Sequence, residues 1–145
     1  MTQTTHLARW YRLPRQRRRA LLRALFALSG ASAAVAFLPF RTAIEFGSVA
    51  LKRRIDVTPE DCVWAVDFAA QRVPWRAMCI QKGLAVQRLL RRAGVDALLH
   101  YGARRATDSG ELQAHVWVSV ADQVVIGGEE APEFAEIAAF PRARR

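Results

Sequence analysis

The chain has 145 residues, enough for one domain at roughly 100–200 residues each, and its 52% apolar and 24% charged content excludes a disordered, collagen-like or disulfide-dense polypeptide. The net charge of +9 is unevenly placed: residues 1–56 hold 11 Lys and Arg against Glu45 and Asp56, whereas residues 57–145 hold 11 of each sign. A charge-balanced body (57–145) behind a basic helical arm (1–56) differs from a uniformly basic nucleic-acid binder, so nucleic acid is not an expected partner.

In chain order, the arm begins its structured part near Pro14. Arg15-Gln16-Arg17-Arg18-Arg19, an apolar stretch and Ala31-Ser32-Ala33 imitate a secretory signal. Arg23 interrupts the apolar run, however, and Ala24–Phe40 is only about 17 residues, the lower limit for a bilayer span. The preferred expectation is a helical pair, Pro14–Leu28 and a second piece broken off near Ser29-Gly30, packing one face on the body. A third helical segment, Arg41–Arg54, follows Pro39. Thr58-Pro59-Glu60-Asp61 then has the chemistry of a helix start, a Thr cap followed by Pro and two acids, and predicts a helix to about Gln71. Val73-Pro74-Trp75 breaks it. Ala77–Ala93, ended by Gly94, is the strongest helix, with Ile80, Leu84, Val86, Leu90 and Ala93 on an apolar face. At 100° per residue Cys79 shares the direction of Gly83, Val86 and Leu90, which points its thiol along the buried face.

From here the period changes to two. Val95–Ala103 and Leu112–Val120 read as strands around a polar turn, and Val124–Ile126 as a return strand after Ala121-Asp122-Gln123. Helices first and an antiparallel sheet afterwards make an α+β fold. Cys62 and Cys79 form neither a disulfide framework nor the paired spacing of a zinc site, so a reduced, cytoplasmic setting is expected.

Cys79, in the first turn of the strong helix, lies where the helix dipole favours thiolate, the nucleophilic form. His115, inside the second strand, is the histidine that could activate it. Cys62, beside Val63 and Trp64, reads as core. His6 and His100 form no ligand set with any Cys or acid, and no phosphate-binding loop is present, so no metal, cofactor or ATP use is expected. Trp117 shares a strand face with His115, either as a wall of a site or as core.

Val73-Pro74-Trp75-Arg76-Ala77-Met78-Cys79-Ile80, Gln87 to Val95, Ala114-His115-Val116-Trp117-Val118 and Val124-Val125-Ile126-Gly127-Gly128 together resemble the transglutaminase-like leader peptidases of lasso peptide biosynthesis, the family that includes the microcin-processing proteins. The resemblance covers nearly the whole body. It implies a transglutaminase-like, papain-like core, a cysteine-protease activity, Cys79 as nucleophile and His115 as general base. It further implies a precursor-peptide substrate, an ATP-dependent cyclase as partner, and leader recognition by a winged-helix module. Residues 1–56 lack the strands of such a module, so it is expected on a separate partner chain.

The third catalytic member departs from the pattern, because no acid sits on the strand facing His115. Asp122, at the hairpin turn, would be about 20 Å away at ~3.3 Å per residue. Glu129 is the nearest acid in the expected register, with Glu130 next, so Glu129 is the expected third catalytic residue, the alternative being that a backbone carbonyl or a residue from elsewhere in the fold orients the histidine. Two other function classes remain at this level. One is a different thiol acyltransferase on the same fold, since only the choice of water or amine separates the two. The other is a non-enzymatic basic adaptor for an anionic partner; membrane association of the arm is the less favoured version of that reading.

Overall fold

The computed structural model describes residues 11–52 and 57–142. Helix α1 (Arg15–Phe37) is followed by a short α2 (Phe40–Ala43), α3 (Pro59–Ala70) and α4 (Cys79–Arg92). Strands β1 (Ala97–Arg105), β2 (Leu112–Val120), β3 (Gln123–Ile126) and β4 (Ala135–Phe140) form one antiparallel sheet in the order β3-β2-β1-β4. The α+β expectation holds.

Helix α4 lies on the sheet, and α1 packs behind it against both α4 and α3. Leu21, Ala24, Leu28 and Ala31 of α1 enter the same core as Val66 of α3, Leu84, Val86 and Leu90 of α4, and Leu99 and Val118 of the sheet. Each fully buried aliphatic side chain of this kind is worth about 1.5–3 kcal/mol, so the arm's helix is built into the body by its apolar face. By length and composition α1 is also long and apolar enough to cross a bilayer, with a third of its most apolar window buried.

Two expectations for the arm are corrected. The helix does not break at Ser29-Gly30 but runs through them to Phe37. Glycine within a helix costs about 1 kcal/mol, yet Gly30 lies under the Phe46 ring, where a Cβ would be 2.8 Å from Cζ. It is there for close packing, and packing overrides propensity. The expected helix Arg41–Arg54 is reduced to the single turn of α2, after which Ser48–Lys52 have no regular structure; residues 53 and 54 lie outside the described residues. Here arginine side chains replace helical donors: Arg88 Nη1 donates to Phe46 O and Arg91 Nε to Val49 O, each at 2.7 Å.

The body follows its local signals. Thr58 Oγ1 accepts from the Asp61 N–H at 3.2 Å and Pro59 opens α3, as N-capping requires. Gly94, at φ +82°, closes α4 together with Val95, whose N–H donates to Leu90 O. The next strand therefore starts at Ala97, two residues later than expected. Ala121 and Asp122 both take positive φ in the β2–β3 turn, the conformation that a two-residue hairpin demands.

Strand β4 was not expected from the sequence. Ala135-Glu136-Ile137-Ala138-Ala139-Phe140 is poor in β-branched residues and occupies a sheet edge, where it gains its order from pairing with β1 rather than from propensity.

Candidate active site

Cys79 is the first residue of α4 and is half-buried against the core. The preceding turn is held from two sides. Trp75 Nε1 donates to Ser32 Oγ of α1 at 2.9 Å, and the Met78 N–H donates to Gln81 Oε1 inside α4. The Pro74-Trp75-Arg76 run thus fixes the entry to the helix and places the thiol beside unpaired N–H groups at its positive end.

Cys62 is different in kind. It is buried in α3, and its thiol is pushed up to about 11, chiefly by burial and secondarily by Asp61, with Arg23 acting the other way. A neutral, enclosed thiol is core, as the sequence indicates.

His115 lies on β2 and is 6% exposed. Its Nε2 is 2.8 Å from Gly127 O, and its Nδ1 is 4.0 Å from Glu130 Oε2. Glu130 is therefore the acid that approaches; Glu129 is exposed and makes no ion pair with the ring among the described residues. The reason is a bulge. Val120 pairs with Gln123 and Ser119 with Val124, but Val118 pairs with Ile126, so one extra residue enters β3. Gly127 then turns at φ +79°, where a Cβ would meet Val116 O at 2.7 Å. Asp122 sits at the far end of the hairpin, in the turn.

No hydrogen bond joins Cys79 to His115, and strand alternation sets the two on different sides of the sheet. Val116, Val118 and Leu99 close on Gly83 of α4, where a Cβ would be 3.1 Å from Val116 Cγ2. Gly83 is one turn beyond Cys79, so the thiol belongs to the helix side of the sheet. His115 and Trp117 alternate with these valines and face the other side, and no hydrogen bond links the ring to Cys79. Pairing of β3 with β2 stops at Val118. Around the His115 ring lie the Gly127 carbonyl, Glu130 and the Phe134 ring, whose centroid is 5.1 Å away.

The outer face holds a constellation that the sequence did not disclose. Trp117 stacks on His115 (centroids 6.1 Å) and on His100 (5.5 Å, planes within 9°), and lies over Gly102, where a Cβ would be 2.9 Å from the indole. His100 Nε2 is 2.7 Å from Ser119 Oγ, and its Nδ1 is at ion-pair distance, 3.2 Å, from Glu136 Oε2. Histidine spacing alone could not show this, because Glu136 arrives on the unexpected β4. Ser119 is buried and pairs on both sides, with Leu98 and with Val124. It lacks open donors for an oxyanion, so the set fastens β4 to the sheet.

A family model described as the transglutaminase-like superfamily matches residues 5–139. The chain belongs to the transglutaminase-like superfamily. Neither the curated proteins nor the solved structures provide a match. The match spans arm and body alike, in keeping with their shared core, and the superfamily includes cysteine peptidases, which are thiol-dependent enzymes. Among the described residues no group of three or more His, Cys, Asp or Glu is placed to hold a metal ion.

Proposed function

We propose that this transglutaminase-like protein is a cysteine peptidase that removes the leader from a ribosomally made lasso peptide precursor, in the cytoplasm, before a separate ATP-dependent cyclase closes the ring. The observation that carries the reading is Cys79 as the first residue of α4, partly accessible, where first-turn N–H groups have no intrahelical acceptor. The motif resemblance around Cys79 and His115 supplies the substrate class.

In this reading the Cys79 thiolate attacks the carbonyl carbon after the leader, and helix N–H groups, first that of Cys79, hold the oxyanion. The C–N bond breaks as the leaving amine takes a proton from His115. Water then hydrolyses the thioester, releasing the leader and restoring the thiol. In the free chain His115 is engaged with Gly127 and Glu130 on the far side of β2. In this reading, substrate and a separate leader-recognition protein release the ring for its part in the reaction.

The test is to weigh the products of a precursor peptide incubated with wild-type, Cys79→Ala and His115→Ala proteins, each with and without the recognition partner. Cleavage at one bond by the wild type with its partner, and by neither variant, is the expected result. Efficient cleavage by the isolated chain would contradict the partner requirement, and cleavage by Cys79→Ala would overturn the nucleophile.

A further inference from the structure

A cavity of about 680 Å³ opens between α1, α3 and the C-terminal half of α4, away from both Cys79 and His115. Its walls are apolar, formed by Phe26, Ala27, Phe46, Cys62, Ala65 and Leu89. Its charges are four cations, Arg23, Lys52, Arg88 and Arg92, against Asp61 alone. Arg88 is occupied, donating to Phe46 O and lying 4.3 Å over the Phe46 ring. Arg23, Lys52 and Arg92 make no ion pair among the described residues. Phe26 is 77% exposed at the mouth. The volume is that of a ligand site, and a large exposed aromatic rimmed by unpaired cations marks a surface made for contact.

We propose that this groove is a substrate exosite, which takes an acidic stretch of the precursor's leader anchored by a bulky apolar side chain. The inference rests on the leader-peptidase reading. Charge complementarity selects an acidic segment, and the apolar floor selects the anchor. The shared helix selects the substrate, because the groove and Cys79 lie toward opposite ends of α4, a span that one extended peptide can bridge. From Cys79 to Leu89 is ten residues, about 15 Å at 1.5 Å per residue. At roughly 3.3 Å per extended residue, the anchor lies at least about five residues from the scissile bond.

The experiment uses the full chain carrying Cys79→Ala, so that binding is read without turnover. The probes are fluorescein-labelled dodecapeptides: one rich in Glu and Leu, a twin with Lys for Glu, and a twin with Ser for Leu. Fluorescence anisotropy is expected to show saturable binding of the first, weakened at least tenfold in either twin. The same loss is expected with Arg23→Glu/Arg92→Glu and, independently, with Phe26→Ser, all exposed positions whose replacement leaves the core intact. No binding of the Glu-Leu peptide, or equal binding by the Lys twin or by the charge-reversed protein, overturns the exosite. Thiol-dependent cleavage of precursor without groove binding would sink only the exosite, whereas groove binding without any such cleavage would sink only the peptidase reading.

Discussion

The two cysteines show how environment rather than residue type decides chemistry. Cys62, only 6% exposed in the floor of the groove, is held neutral with its thiol at about 11, whereas Cys79 is half-buried at a helix start. Iodoacetamide at about pH 8 should therefore modify Cys79 and leave Cys62 unmodified in the folded protein, and peptide mapping reads the difference; equal labelling would remove the distinction. Cys62 also links stability to alkaline pH. Its folded value lies above the ordinary 9.0, so the unfolded chain loses this proton first. Stability is intact below about pH 9 and falls until about pH 11, by about 2–3 kcal/mol. Urea unfolding across that range should show the fall in wild type and a smaller one in Cys62→Ala. At this scale the sequence was informative: a cysteine after Pro-Trp-Arg at a helix start, and one inside an apolar helix, are different by position alone. The partner of His115 was not legible, because a one-residue bulge and the turn at Gly127 decide which glutamate arrives.

Among elements, α3, α4 and the β2–β3 hairpin follow from caps, turn residues and periodicity, whereas the unbroken run of α1 and the irregular pieces depend on contacts that local sequence does not carry. Gly47 is the clearest case. A Cβ there would collide with Gln87 Oε1 and lie 2.9 Å from Leu84 O, and Gln87 is itself fully buried, donating to Phe140 O at 2.7 Å. Gly47→Ala should cost about 1–3 kcal/mol, measurable as a lowered denaturant midpoint with unchanged slope. The same logic explains why the expected helix from Arg41 keeps only the turn of α2 among the described residues: the Phe46 and Val49 carbonyls are claimed by arginines of α4 some forty residues away. Trp75 ties the Cys79 approach to α1 through Ser32. Ser32→Ala should remove about 1 kcal/mol of stability, and if this bond positions the thiol, its effect on cleavage should exceed its effect on folding.

For the whole molecule, five of the arm's eleven basic residues, Arg15, Arg17, Arg18, Arg19 and Arg23, lie on a helix that is both a core element and a solvent-facing surface. Its inner face supplies Leu21, Leu28 and Ala31 to the single core, while Arg15, Arg19, Leu22, Phe26 and Phe37 face outward. Deleting residues 1–38 should abolish the cooperative thermal transition of the remainder, since α3 and α4 would lose the helix packed on both; a sharp transition in the truncated chain would show a separable arm. The outward face and the groove beside it leave a basic, apolar surface for a peptide partner. A leader peptidase with Cys79 as nucleophile passes through a thioester with the leader. The most direct measurement is the intact mass of the wild-type protein, rapidly acid-quenched during turnover of precursor in the presence of the recognition partner. The expected result is an adduct of the leader's mass, less water, mapped to Cys79. Turnover without any adduct, together with undiminished cleavage by Cys79→Ala, would contradict it.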